Sequence, residues 1–257
     1  MPLADVQNKS AESIRDEIIA IDTRWAEVDY WRAISNNDRA YSDYYLLASL
    51  DLTRNTQGEI VAVPEGSSAF QSIFARTFEI SFGVTLIALL LGFPLAYWMS
   101  RMSARSANLV MICVLIPFWT SVLVRIAAWI VLLQRQGLIN KTLMQLGLTD
   151  MPLDLLFNRI GVYIAMVHIM LPFMVLPIYS VMRSIPPTYQ RAAISLGSHP
   201  FAAFWKVYVP QTYPGIAAGC LLVFIISIGY YITPALLGGA NDQMISYYVA
   251  YFTNQTI

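Results

Sequence analysis

Long apolar runs alternate with short polar interruptions along most of this chain, and their lengths decide its class. A helix that crosses a bilayer needs about 20 mostly apolar residues. Four stretches qualify: 78–100, 109–133, 160–182 and 216–237. Each contains proline (Pro94; Pro117; Pro172 and Pro177; Pro234). Membrane helices tolerate proline because neighbouring helices can satisfy the carbonyl it frees. The pattern predicts an all-α, polytopic membrane helix bundle over residues 74–257. Residues 1–73 read differently: Ile14, Ile18, Ile21, Trp25, Val28 and Trp31 recur at helical spacing and predict one amphipathic helix over 14–31.

Composition supports this division. The chain is 57% hydrophobic and 12% charged, too apolar for an ordinary soluble domain. Its formal net charge is zero, which gives no reason to expect nucleic acid as a partner. The charges are unevenly placed: residues 1–73 hold twelve acidic and six basic side chains, and beyond them the acids are Glu79, Asp150, Asp154 and Asp242. Cys113 and Cys220 lie singly in apolar runs and read as small apolar side chains, with no metal spacing and no disulfide framework.

Orientation follows the Lys and Arg residues near span ends. One side holds Arg101, Arg105, Arg183, Arg191 and Lys206, with no acid in 101–108 or 183–211. The other side holds Arg76, Arg135, Lys141 and Arg159. The excess assigns 101–108 and 183–211 to the cytoplasm and the acidic segment 1–73 to the periplasmic side. No apolar leader precedes that segment, and the closing apolar-aromatic run stops short of a span. One further spanning helix is therefore expected before and one after this chain, six in all.

Between the third and fourth runs lies RAAISLGSHPFAAFWKVYVP, residues 191–210. Its pattern is two alanines (Ala192, Ala193), a glycine four residues on (Gly197), nine residues, then Val207, Val209 and Pro210. Small residues admit a close partner, and the glycine suits a turn between two short helices, with positive φ. Phe201, Phe204 and Trp205 offer apolar anchors. An interfacial amphipathic helix with a glycine cap has some of these features, but helix physics alone does not require the spacing.

The segment resembles the EAA loop of inner-membrane permeases of binding-protein-dependent ABC importers. RTFEISFGVTLIALLLGFPLAYWMSR, IPFWTSVLVRIAAWIVLLQRQGLIN and YYITPALLGGAND resemble the spermidine/putrescine permease branch. The likeness covers roughly residues 70–257. It implies a cytoplasmic coupling loop at 186–210 that docks on an ATP-binding subunit through Arg191, Ala192, Ala193, Gly197, Phe201, Val207 and Pro210. It implies as partners a homodimer of that subunit, a second permease subunit, a periplasmic binding protein and membrane lipid. It places the chain in a bacterial inner membrane. The family carries Glu where this chain has Arg191, which alters the polar contact expected with the ATPase. The implied cargo is a polyamine, spermidine or putrescine; another small organic or inorganic ion is the alternative.

Two groups are candidates for the substrate path. Glu79 lies within an apolar run, where an acid is costly; it meets a cargo amine or pairs with Arg76 one turn away. Tyr230 and Tyr231, between Gly229 and Pro234, either line a locally unwound cavity, where a ring face attracts an ammonium group, or form an interfacial aromatic belt. Trp119 and Trp129 have the same two readings. Arg125 is expected to be structural, snorkelling or pairing with a partner subunit. His168 suits a helix–helix hydrogen bond better than a metal, and His199 solvent or ATPase contact.

No HExxH, GxSxG, Walker A or CxxC motif is present. No cofactor, metal site or catalytic residue is expected, and ATP hydrolysis falls to a separate subunit. A membrane scaffold needs no coupling loop, and an intramembrane enzyme needs a paired acid and base that the scattered single groups do not supply.

Overall fold

The computed structural model describes residues 11–28, 31, 34, 43–55, 58–64, 68 and 70–255. The chain divides into two compact units, Met1–Ser72 and Ile73–Ile257.

In the first unit, helix α1 (Ala11–Ile21) is followed by a 3-10 turn at Thr23–Ala26. The helix expected over 14–31 therefore ends ten residues early. The cause is Asp22, whose extended backbone breaks the helix while its side chain accepts from the Arg24 backbone N–H at 3.0 Å. The Arg24 guanidinium on the same carboxylate holds the Asp22 pKa below its usual value. Trp31 meets Trp25 by donating its indole N–H to the Trp25 carbonyl at 2.8 Å, so these two rings associate without sharing a helix face. Helix α2 (Tyr44–Ser49) leads into a hairpin, β1 (Leu52–Arg54) against β2 (Ile60–Ala62), with Thr53 opposite Val61. This small sheet lies outside the all-helical expectation. Asp51, buried and at φ +53°, accepts from the backbone N–H groups of Phe70 and Gln71 at 3.1 and 2.7 Å. It thereby caps the next helix.

The second unit is helical. Helix α3 (Phe70–Arg101) is followed by α4 (Ala104–Leu115), α5 (Val122–Leu133), α6 (Leu138–Gln145) and α7 (Arg159–Ser184). Then come α8 (Thr188–Ser195), α9 (Pro200–Ala203), a π-turn at Phe204–Tyr208, α10 (Val209–Ile228), α11 (Ile232–Leu237) and α12 (Ile245–Gln255). Among the described residues, four helical segments are long and apolar enough to cross a membrane: Phe70–Arg101, Val122–Gln145, Arg159–Ser184 and Pro200–Ile228.

Two boundaries differ from those read in the sequence. The run 109–133 is not one helix. Pro117 starts a 3-10 turn at Ile116–Trp119, and Thr120 closes it by donating its N–H and hydroxyl to the Pro117 carbonyl. The fourth span is continuous from Pro200, well before residue 216, and stops at Ile228. The second half of the expected 186–210 loop is therefore the lower end of that span.

The core lies between α3 and α7. Ile80, Val84, Ala88 and Met99 pack with Val162, Met166, Met170, Met174 and Ile178, all fully buried. Helix α10 joins by close approach: a Cβ on Gly219 would sit 3.0 Å from the Met174 sulfur and 3.1 Å from its carbonyl oxygen, and one on Gly215 3.0 Å from the Pro177 carbonyl. Lipid is as apolar as leucine, so such intimate packing carries helix association here. Trp129 on α5 donates to His168 Nδ1 on α7 at 3.3 Å, the interhelical bond expected of this histidine. Buried Asn140 on α6 exchanges two hydrogen bonds with the Leu153 backbone, both at 2.9 Å, which fixes the segment before α7.

Candidate functional site

The segment 186–210 forms a bent pair of helices at one end of the bundle. Helix α8 carries Arg191, Ala192 and Ala193 and ends at Ser195. Gly197 follows with φ +91°, a conformation that strains any residue with a Cβ. Nothing lies within 4 Å of where a Cβ on Gly197 would project, so the joint is open to solvent or a partner. His199 then caps α9, accepting at Nδ1 from the Phe201 backbone N–H at 3.3 Å. It serves as a cap, a role not foreseen for it.

The aromatic residues of this segment divide in two. Phe201 and Trp205 face outward, 68% and 52% exposed. Phe204 turns inward, its ring 5.2 Å from Tyr97 on α3 and stacked at 5.7 Å on Tyr208. The three do not act as one set of anchors: Phe204 belongs to the bundle. The π-turn between Phe204 and Tyr208 produces this division by widening one turn. Its position has a physical reason, since Pro210 cannot donate to the Lys206 carbonyl and its ring crowds that oxygen. Val207 and Pro210 are half-buried in this turn and the start of α10. Two exposed apolar residues of this segment escaped the sequence reading, Leu196 beside the joint (89% exposed) and Tyr189 at the start of α8.

Polar contacts tie the segment to the spans. Arg101, at the end of α3, donates to the Gln190 side chain at 2.7 Å, and its guanidinium lies over the rings of Tyr97 (5.0 Å) and Tyr208 (5.2 Å). Arg183, at the end of α7, donates to the carbonyls of Ser100 and Met102.

At the opposite end of the bundle, Glu79 pairs with Arg159 at 2.6 Å, not with Arg76. The Arg159 guanidinium also reaches Asp242 at 3.1 Å. Asp242 is 7% exposed and accepts from the Gly239 backbone N–H with its other oxygen, at 3.1 Å. Arg76 instead donates to the Gln243 carbonyl, and Thr77 accepts from the Ile245 N–H at 3.0 Å. The GGANDQMI segment is thus fastened to the first turns of α3 and α7. Arg159 and Asp242 are functional candidates missed from the sequence, because neither has an oppositely charged neighbour one helical turn away. The helix interruption expected near Gly229 is present, between Ile228 and Ile232. It separates the tyrosines. Tyr230 packs on the core, while the half-exposed Tyr231 faces Tyr247 at 6.1 Å, in line with Tyr251. Arg125 on α5 is half-buried, and its Nε has no protein acceptor among the described residues. Trp119 is 90% exposed. No cluster of three or more metal-ligating side chains occurs among the described residues.

Residues 72–257 match the family described as binding-protein-dependent transport system inner membrane component. The spermidine/putrescine transport system permease protein PotB of Haemophilus influenzae is 35% identical over 189 residues, covering 72% of this chain and 66% of that protein. The protein of the same description from Escherichia coli strain K12 is 36% identical over 161 residues, covering 63% and 58%. The chain thus spans less than two thirds of the length of these relatives. Among solved structures, a chain of a bacterial alginate ABC transporter in complex with an alginate pentasaccharide-bound periplasmic protein superposes with a TM-score of 0.60. That match covers 95% of this chain and 83% of the other at 15% identity, a likeness of fold. The chain belongs to the family of binding-protein-dependent transport system inner membrane components.

Proposed function

We propose that this chain is a permease subunit of an ATP-driven importer in the bacterial inner membrane, carrying a small polycation of the spermidine/putrescine type. A periplasmic binding protein delivers the cargo, and a second permease subunit completes the path. ATP is hydrolysed by a separate homodimer of ATP-binding subunits that docks on 186–210. The observation that carries this reading is the joint at Gly197: two helices meet at a positive-φ glycine and present Ala192, Leu196, Phe201 and Trp205 outward. Such an outward apolar surface at a span end suits a docked protein better than water.

Cargo rests on separate support. Relatives at 35–36% identity are described as spermidine/putrescine permeases. At the outer end, the Glu79 side chain is 59% exposed and faces Arg159 across one ion pair. A multiply charged amine needs anionic or π partners once it sheds water, and Glu79, Tyr230 and Tyr231 are the candidates. A relative at 27% identity is described as a molybdenum transport system permease protein. The relatives at 35–36% identity, rather than this one, carry the cargo reading. The test is uptake of radiolabelled spermidine into vesicles holding the complete importer. Uptake that depends on ATP and on this chain supports the proposal. Uptake of an oxyanion but not of spermidine or putrescine refutes the cargo.

A further inference from the structure

We propose that the cleft between the ends of α3 and α7, beneath α8, binds the phosphate headgroup of an anionic phospholipid. The cleft has a volume of about 300 Å³ and is lined by Ser100, Arg101, Met182, Arg183, Ile185 and Tyr208, among others. It holds two guanidinium groups and no carboxylate. The surrounding surface offers no compensation, since residues 101–108 and 183–211 together hold five cations and no acid. Contacts within the protein use only part of the donor capacity of each arginine. Arg183 Nη1 serves the carbonyls of Ser100 and Met102, and Arg101 Nη2 serves Gln190. A guanidinium has five N–H donors in a fixed fork that matches phosphate oxygens. Arg101 is held in place by its stacking on Tyr97 and Tyr208.

The buried Tyr208 side chain also lines the cleft, with its hydroxyl beside Ser100. Ser100 donates its hydroxyl to the Tyr97 carbonyl at 2.7 Å and keeps its oxygen lone pairs available to Tyr208. A phosphate oxygen in the cleft would accept from both arginines.

Depth selects the source of the phosphate. Arg101 is the last residue of α3, and Met182 and Arg183 lie in the last turn of α7. The cleft is therefore level with headgroups, where basic pockets between spans recognise anionic lipid. Trp98, one turn above Arg101, is 56% exposed, as an interfacial tryptophan is. Met182 and Ile185 add apolar wall to one side. The proposal depends on the chain lying in a membrane and not on which cargo it carries.

Native mass spectrometry of the detergent-purified full-length chain tests it, with phosphatidylglycerol, phosphatidylcholine and inorganic phosphate as titrants. Arg101→Gln/Arg183→Gln should weaken phosphatidylglycerol binding about tenfold, the loss expected of charged hydrogen bonds. Arg105→Gln/Lys206→Gln removes equal charge outside the cleft and should weaken it less than about twofold. Four outcomes overturn the proposal: no loss in the cleft pair, equal loss in the control pair, phosphatidylcholine bound as tightly as phosphatidylglycerol, or displacement of lipid by millimolar inorganic phosphate, which would make free phosphate the ligand.

Discussion

Arg159 lies between two carboxylates, 2.6 Å from Glu79 and 3.1 Å from Asp242, and the two are not equivalent. The Glu79 side chain is 59% exposed and makes one contact, whereas the Asp242 side chain is 10% exposed and also holds the Gly239 N–H. An exposed ion pair contributes within about 1 kcal/mol. Removing a buried acceptor leaves its donors unpaired, at about 1–3 kcal/mol. Glu79→Gln should therefore leave thermal unfolding in detergent nearly unchanged, and Asp242→Asn should lower the Tm clearly. If Glu79 meets the cargo, Glu79→Gln lowers spermidine uptake without loss of folded protein. Unchanged uptake in Glu79→Gln and in Tyr230→Leu/Tyr231→Leu would remove both from the path.

At Gly197 the cost of a side chain is conformational, since no atom lies within 4 Å of the position a Cβ would take. Gly197→Ala should carry about 1–2 kcal/mol of left-handed strain, comparable to a typical coupling energy of about 1–3 kcal/mol. Gly197→Asn should be milder, because asparagine tolerates this region. Gly197→Asp adds charge at the proposed docking face and should abolish both transport and ATPase retention after detergent extraction, with expression unaffected. Normal retention and normal uptake in Gly197→Asp would end the coupling assignment. Arg191→Glu should be far milder.

Gly219 makes the opposite prediction. Its substitution is limited by space, with the Met174 sulfur at 3.0 Å and the Met174 carbonyl oxygen at 3.1 Å from a new Cβ. Gly219→Ala should destabilise by about 1–3 kcal/mol, the usual cost of overpacking. Met174→Ala in the same chain should rescue only part of that loss, because the sulfur leaves and the carbonyl stays. Full rescue in a double-mutant cycle would show that the backbone approach is looser than described.

Trp129→Phe keeps an aromatic edge against His168 and removes the 3.3 Å hydrogen bond. Interhelical hydrogen bonds in membranes average about 0.6 kcal/mol, so a small fall in thermal stability is expected. A fall as large as that of Gly219→Ala would mean that this pair anchors α5 to α7 more strongly than one hydrogen bond can.

The spans were legible because their signal is composition summed over some twenty residues. Their ends were not, and proline shows why. Pro94, Pro172 and Pro177 sit inside continuous helices, yet Pro117 ends one. The difference lies in Thr120 bonding back to the Pro117 carbonyl, a local competition that hydropathy does not register. Glu79 was legible as a costly acid, but its partner was not: Arg76 is near in sequence, while Arg159 arrives only when α7 packs on α3. The spacing in 191–210 suggested a turn at Gly197, and the backbone there has positive φ. The inward rotation of Phe204 was hidden because a π-turn shifts helical periodicity by a fraction of a turn, and no period of 3.6 residues predicts it.

The helical stretch from Pro200 to Ile228, with its π-turn at Phe204–Tyr208, runs from the 186–210 segment through the bundle and is held against α7 at Gly215 and Gly219. At 1.5 Å per residue, Gly219 lies about 29 Å along it from Pro200 and about 14 Å from Ile228. A displacement at the Phe201 end would be carried by this one helix toward its break before Tyr230, beside the aromatic line of Tyr231 and Tyr247.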